Sequence, residues 1–140
     1  MPQERVNSTA INNMKQGNNC CQAVVIAACQ EWGLPIPEEV LAAGAFFGGG
    51  MQAGCTCGAL TGMIMASGLR SSHQGFPPGQ QPAKQLHDIF KQEFGSACCR
   101  VIKKKHGIID NIGMRACQEL TGRATVLLIE YWEELNAKST

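Results

Sequence analysis

Strong charge of either sign is absent from this sequence. Its 140 residues carry 12 basic and 11 acidic side chains, so the formal net charge is +1, and charged residues make up only 16% of the chain. Without a concentrated positive field, binding to a phosphate backbone is not expected, which excludes nucleic acid as a partner. The one basic run, Lys103-Lys104-Lys105-His106, is interpreted as a solvated helix end.

Features of a secreted or membrane-spanning protein are also absent. The residues from Met1 to Arg5 lack the charged start and apolar run of a signal peptide. Residues 40–69 contain no charged side chain, but eight glycines, Gln52 and two cysteines interrupt them. Continuous insertion into lipid is therefore not expected. The sequence predicts a bacterial, cytoplasmic protein.

Several motifs that would identify a common activity are missing. The chain has no Cys-x-x-Cys, which argues against a thioredoxin-type dithiol, a zinc ribbon or a ferredoxin run. It has no Gly-x-Ser-x-Gly elbow of a serine hydrolase. Gly48-Gly49-Gly50 is not followed by Gly-Lys-Ser/Thr, so a nucleotide-binding phosphate loop is not expected.

What the sequence has instead is cysteine. The eight cysteines are Cys20, Cys21, Cys29, Cys55, Cys57, Cys98, Cys99 and Cys117. So many thiols exceed what ordinary core packing requires. In a reducing cytoplasm, they indicate metal binding or thiol chemistry rather than structural disulfides.

The hydrophobic pattern indicates a helical fold. No segment alternates at period two, while Gly, Pro and Asn divide the chain into helical lengths. We therefore predict an all-α protein in which residues 1–140 form a single compact domain of about six to eight helices. A stripe at 3.6-residue spacing in the last helix is predicted to be core; it contains Leu127, Leu128, Tyr131, Trp132 and Leu135.

The predicted helices follow caps and breakers. They cover residues 6–16, a segment capped by Asn18 or Asn19 that runs to 32, 37–47, a segment from about 55–57 to 68, 83–94, 97 to about 105, and 121–136. Asp110 or Asn111 is expected to open a further segment that contains Cys117. Residues 70–82 are rich in Ser, Gly and Pro, so they are expected to form a loop.

The cysteines occupy particular places in these helices. Cys20, Cys57 and Cys99 are each predicted to lie in the first turn of a helix, where unpaired N–H groups and the helix dipole favour negative charge. Such a position lowers the pKa of a thiol and can hydrogen-bond the sulfurs of a cluster. These placements predict a pocket that holds negatively charged sulfur.

The remaining cysteines and the small residues have simpler expected roles. Adjacent helical residues point about 100° apart, so only one member of each pair, 20–21 and 98–99, should face the site. Cys29 is expected to fill the core. Gly54, Gly58, Gly62 and Ala66 are spaced by four and should form a bare face for close helix packing or for a cofactor.

Three stretches together resemble a known family. They are Asn19-Cys20-Cys21-Gln22-Ala23-Val24, Gly48-Gly49-Gly50-Met51 and Cys57-Gly58-Ala59-Leu60-Thr61-Gly62. Phe94-Gly95-Ser96 ahead of Cys99-Arg100, and the later Cys117, complete the pattern. The chain resembles, from about Val6 to Tyr131, a family of small redox-active proteins named for the pattern C…GCAxxG…C…C. The resemblance implies a helical fold and a redox role.

Carried over by position, the resemblance implies a site formed by Cys20, Cys57, Cys99 and Cys117. Four thiolates suit an iron–sulfur cluster, or alternatively a zinc or iron ion, used in electron transfer or redox sensing. Thr56 stands where the family's name has glycine. Cys21, Cys55 and Cys98 are possible additional ligands that have no counterpart in the basic pattern.

Two other functions stay open at this point. One is a metal-free thiol–disulfide protein in which Cys55 and Cys57 form the natural pair. The other is a structural or adaptor protein with regulatory thiols. The sequence identifies no redox partner protein, although one is expected, and a homodimer is an open possibility.

Overall fold

Seven α-helices and one π-helical turn make up the computed structural model, which describes residues 2–111 and 114–139. The helices are α1 (Pro2–Lys15), α2 (Cys20–Trp32), α3 (Glu38–Ala43), α4 (Gly58–Gln74), α5 (Pro82–Phe94), α6 (Cys99–Asn111) and α7 (Arg115–Ser139). The π turn is Gly50–Gly54 and lies between α3 and α4.

The predicted all-α class is confirmed. Within the described residues there is no β-strand, and the one strand-like feature is an isolated antiparallel bridge between Thr56 and Cys98. The chain forms a single helical domain whose eight helical elements fall within the expected range. Across the same residues, no helix combines the length and the apolar character needed to cross a membrane.

Helix α2 begins and ends as the sequence predicts. The Asn19 side chain accepts a hydrogen bond from the Gln22 backbone N–H at 2.8 Å, and the Gln22 side chain accepts one from the Asn19 N–H at 3.0 Å. This capping box places Cys20 at the first helical position. At the other end, Gly33 adopts the left-handed conformation, with φ 69°, and ends the helix.

The core forms around α2, which packs against α1, α4 and α7. Val24, Val25 and Leu60 are buried there, and the predicted stripe of α7 contributes Leu127, Leu128, Trp132 and Leu135. Tyr131 of that stripe is only partly buried. The stripe is thus confirmed as core, and it holds α7 against the helix that carries Cys20.

The loop predicted for residues 70–82 is wrong over its first part, because α4 continues to Gln74. Arg70 is buried, and its guanidinium carbon lies 4.8 Å from the Trp32 ring centre and 5.3 Å from that of Trp132. These cation–π contacts need the helical geometry at this position. Gly75 then ends the helix with φ 69°.

Other helix bounds also differ from the prediction, and the first helix begins at Pro2 instead of residue 6. The third helix ends at Ala43 instead of residue 47, the fourth begins at Gly58, and the last two predicted segments form one helix, α7. The sixth begins at Cys99, and its helical geometry breaks at Gly107, with φ 77° and ψ 179°, just after its predicted end, before α6 closes at Asn111. Gly44 ends α3, and the Thr56–Cys98 bridge keeps both flanking segments extended. Thr121 lies within α7 because its hydroxyl donates to the Cys117 carbonyl at 2.6 Å. The opening expected at Asp110 or Asn111 falls in α6, and residues 112 and 113 lie outside the described residues.

The small-residue face of α4 serves close packing against α2. A Cβ atom at Gly62 would lie 2.6 Å from the Cys21 carbonyl oxygen and 3.0 Å from the Val24 Cβ. Ala66 is fully buried in the same cluster. Gly54 lies in the π turn and not on α4, so its predicted place on this face is wrong.

We predict opposite effects for alanine at two glycines of α4. Gly62→Ala should lower the free energy of unfolding by about 1–3 kcal/mol, because the added methyl group forces α2 and α4 apart. Gly68→Ala, where a Cβ meets no atom within 4 Å, should raise it by up to about 1 kcal/mol through helix propensity. Urea unfolding of both variants checks this, and equal effects would contradict the assigned helix contact.

Candidate functional site

Cys20, Cys57, Cys99 and Cys117 line one cavity of about 60 Å³. The other lining residues are Gly49, Ile102, Lys103, Met114, Leu120 and Thr121. The cavity is several times larger than the space that one water molecule needs. Its walls are mostly apolar apart from the thiols, Lys103 and Thr121. The structure therefore brings together the four cysteines that the family pattern singles out.

Each of these four cysteines lies at the start of a helix. Cys20 is the first residue of α2, Cys99 is the first residue of α6, and Cys57 is the N-cap of α4. Cys117 is the third residue of α7, a placement that the sequence did not reveal. Four helix N-termini thus converge on one cavity, and each brings N–H groups and a partial positive charge.

The bridge between Thr56 and Cys98 selects which cysteines reach the cavity. The Cys57 N–H donates to the Ala97 carbonyl at 2.8 Å, and the Cys99 N–H donates to the Cys55 carbonyl at 2.5 Å. Side chains alternate between the two faces of such a pair. Cys57 and Cys99 line the cavity, while Thr56 and Cys98 do not.

Two glycines leave room for the sulfur atoms. A Cβ atom at Gly58 would collide with the Cys20 Sγ and would lie 2.7 Å from the Phe47 carbonyl oxygen. Gly50 has φ +66°, and a Cβ there would lie 2.7 Å from the Cβ of Cys99. Since any larger residue would displace a thiol, the glycines of the family pattern shape the site directly.

Cys20 and Cys57 form a hydrogen-bonded thiol pair. The Cys57 thiol donates to the Cys20 sulfur, which, against the effect of burial, lowers the pKa of Cys20 to about 7. Backbone N–H groups of Cys21 and Gly49 stabilise the same thiolate. The hydrogen bond to Cys20, together with burial, raises the pKa of Cys57. Cys20 therefore carries the negative charge of this pair, and Cys57 keeps its proton.

The other two thiols of the cavity are held mainly in the neutral form. Burial raises the pKa of both Cys99 and Cys117, and the positive charge of Lys103 partly offsets this effect at each. Lys103 lines the cavity and follows Cys99 by four residues on α6, so both lie on the same helix face. It supplies the positive charge nearest to the thiols among the lining residues.

The four other cysteines do not line the cavity. Cys21 and Cys29 are fully buried, and burial raises the pKa of Cys21 to about 11. The Cys98 thiol donates to the Gly54 carbonyl at 3.2 Å, and Cys55 is exposed. As expected, one cysteine of each adjacent pair faces the site and the other does not. Cys29 fills the core as predicted.

Six lining residues are not predicted by the sequence as part of a site: Gly49, Ile102, Lys103, Met114, Leu120 and Thr121. Gly49 belongs to the Gly48-Gly49-Gly50-Met51 stretch that carries the family resemblance, whereas Lys103 is predicted to lie in a solvated helix end. The four-residue spacing from Cys99 to Lys103 is the signal that could have found it. Lys104 and Lys105 are exposed, as predicted for the basic run.

The described residues, 2–111 and 114–139, contain no group of three or more His, Cys, Asp or Glu side chains arranged around one metal-ion position. Ligands of a single ion must be close together, since two sulfurs bound to one zinc are at most about 4.6 Å apart.

Comparison with known proteins identifies the family of this chain. No curated protein and no solved structure matches this chain. A sequence model of one family, described as "Putative redox-active protein (C_GCAxxG_C_C)", matches residues 18–131. That range covers most of the chain and includes all four cysteines that line the cavity. The chain belongs to the C_GCAxxG_C_C family of cysteine-rich redox proteins.

Proposed function

We propose that Cys20, Cys57, Cys99 and Cys117 bind an iron–sulfur cluster that serves in electron transfer or redox sensing. The observation that carries the proposal is the convergence of four thiols, each at a helix N-terminus, on one largely apolar cavity. Four cysteine thiolates are the usual ligands of [2Fe–2S] and [4Fe–4S] clusters. When bound, such a cluster accepts and releases one electron at a time.

The surroundings of the thiols fit a negatively charged centre. N–H groups from Cys21 and Gly49 already interact with the Cys20 sulfur, and hydrogen bonds of this kind stabilise cluster sulfurs. Lys103 adds a positive charge beside Cys99 and Cys117. The apolar walls, including Ile102 and Leu120, exclude water from the centre. These residues would hold the cluster, offset its charge and protect it from hydrolysis.

The spacing of the thiols favours a cluster over a single zinc or iron ion. No three ligand side chains among the described residues are arranged around one ion position, and a cluster distributes its four ligands over several metal atoms. The Cys57 thiol hydrogen-bonds the Cys20 sulfur, and two neighbouring thiols suit a [2Fe–2S] centre because each iron there takes two thiolates.

We expect metal content to separate the four cavity cysteines from the others. Cys57→Ser should lose most of the iron and acid-labile sulfide of anaerobically prepared protein, because a hydroxyl is a poor ligand for this centre. Cys55→Ser is the matched control two residues away, and it should retain both, as should Cys21→Ser and Cys98→Ser. Equal losses at Cys55 and Cys57 would contradict the four-ligand assignment.

We also expect Lys103 to tune the reduction potential of the centre. Removing its positive charge in Lys103→Gln destabilises the reduced, more negative state, so the potential should fall by tens of millivolts, on the order of 1 kcal/mol per electron. Lys104→Gln, an exposed neighbour that does not line the cavity, should shift the potential much less. Redox titration followed by visible absorbance measures both variants.

A second candidate function rests on the contact between Cys20 and Cys57. In the metal-free protein, this pair could act as a thiol–disulfide couple. The Cys20 thiolate attacks a disulfide of the substrate and releases one thiol. Cys57 then loses its proton and attacks the mixed disulfide at Cys20, which releases the second thiol. Two electrons pass to the substrate, and a Cys20–Cys57 disulfide forms. The contact favours this pair over Cys55–Cys57.

Oxidation of metal-free protein with glutathione disulfide tests this alternative. Peptide mapping should find Cys20 linked to Cys57, and Cys29→Ser should leave the linkage unchanged because Cys29 is buried elsewhere in the core. A linkage between Cys55 and Cys57 would contradict the pairing. An iron–sulfur cluster in the protein as purified would favour the cluster-binding function over the thiol–disulfide function.

A further inference from the structure

Large apolar side chains are exposed around the cysteine cavity. Phe46, Met51 and Met114 are 74%, 50% and 52% exposed. Met114 lines the cavity itself. Gly49 also lines it, and Met51 lies two residues after Gly49 in the chain. Phe46 and Met51 share a shallow surface groove of about 280 Å³. Exposed apolar side chains grouped beside a site are typical of a surface that binds another molecule.

Two of these side chains belong to residues with an unfavourable backbone conformation. Among the described residues, the only non-glycine residues with a left-handed backbone are Met51, Gln52 and Met114, with φ of 62°, 60° and 61°. Such conformations are unfavourable for residues that carry a Cβ atom, and they persist mainly where function requires them. Met114 lines the cysteine cavity, and Met51 and Gln52 line the groove that contains Phe46. Methionine is a flexible and polarisable side chain that adapts to a partner's surface.

Positive charge lies beside this apolar surface. Arg100 of α6 donates a hydrogen bond from Nη2 to the Ala53 carbonyl at 3.0 Å, which attaches α6 to the π turn that carries Met51. Lys104 and Lys105 follow on the same helix and are exposed. Residues 40–69, which form the π turn and its surroundings, contain no acidic side chain to neutralise them.

Acidic groups near this charge in the chain are paired or lie beyond a helix break: Glu93 is paired with Arg123 at 3.3 Å, and Asp110 follows the break in helical geometry at Gly107. On α7, Glu119 is paired with Arg115 at 3.6 Å. On α3, the acidic side chains lie in the first turn, at Glu38 and Glu39, which is the end remote from Phe46. Among the side chains that the structure describes, the charge beside the cavity therefore remains positive.

We propose that Phe46, Met51 and Met114, together with Arg100 and Lys104, form a docking face for a small acidic electron-carrier protein. This proposal rests on the proposed redox function and names the class of its partner. An acidic surface would complement the lysines and arginine, and the exposed methionines would contact the rim of the partner's cofactor. Two copies of this chain would bring like charges together on this face, which opposes a symmetric dimer there.

Flavodoxin, a small acidic flavoprotein, is the probe for the test. Amide spectra of the ¹⁵N-labelled full chain are recorded during its addition, at ionic strengths of about 10 mM and 150 mM, where the Debye lengths are about 30 Å and 8 Å. We expect the largest shifts at residues of the docking face, and much weaker binding at the higher ionic strength. Lys104→Glu should weaken binding about fivefold or more at low salt.

Lys84→Glu is the matched control. Lys84 is exposed in the first turn of α5 and paired with Asp88, and α5 follows the end of α4 remote from Cys57. Since α4 has 17 residues, that end is about 25 Å from the cavity. Lys84→Glu makes the same change in net charge and should leave binding nearly unchanged. Met51→Ser should weaken binding without altering its salt dependence.

Three results would overturn the proposal. The first is the absence of amide shifts at the docking face at low ionic strength. The second is equal weakening of flavodoxin binding by Lys84→Glu and Lys104→Glu. The third is self-association of this chain, measured by sedimentation, that Met51→Ser abolishes. Iron content of each sample is measured separately. Iron-loaded protein that does not dock contradicts this proposal alone, whereas iron-free protein that still docks contradicts only the proposed cluster.

Discussion

Two backbone hydrogen bonds hold the starts of α4 and α6 together, and the site depends on them. The bonds from Cys57 to Ala97 and from Cys99 to Cys55 align two short extended segments side by side. Because side chains alternate between the two faces of these segments, the Cys57 and Cys99 thiols face the cavity and Cys98 faces away from it. If either segment slipped by one residue, its other face would turn inward, and Thr56 or Cys98 would take the place of Cys57 or Cys99.

Convergence of four helix N-termini has an electrostatic consequence. Their partial positive charges repel one another when they meet in a poorly solvated space. Negative sulfur at the same position offsets that repulsion, so the helices and the thiolates stabilise each other. The lowered pKa of Cys20 is one expression of this balance. A bound cluster would extend the same compensation to Cys99 and Cys117, whose pKa values are raised by burial when they stand alone.

Much of this arrangement could be predicted from the sequence, and the failures have physical causes. The cap residue Asn19, the helix-ending Gly33 and the apolar stripe of α7 are local signals, and they predict α2 and the core correctly. The continuation of α4 through Arg70 could not be seen, because it depends on tryptophans that lie far away in sequence. The sequence predicts a helix start at Thr121, but the Thr121 hydroxyl donates its hydrogen bond inside α7. The pairing of Cys20 with Cys57 likewise arises from tertiary contact between α2 and α4, which no spacing encodes.

The central claim is that four thiols at four helix starts hold one iron–sulfur centre. Iron K-edge X-ray absorption of protein purified without oxygen tests it most directly. We predict iron coordinated by sulfur alone, with a short iron–iron scattering path that only a polynuclear cluster produces. Iron bound by nitrogen or oxygen, or iron without an iron–iron path, would contradict the claim.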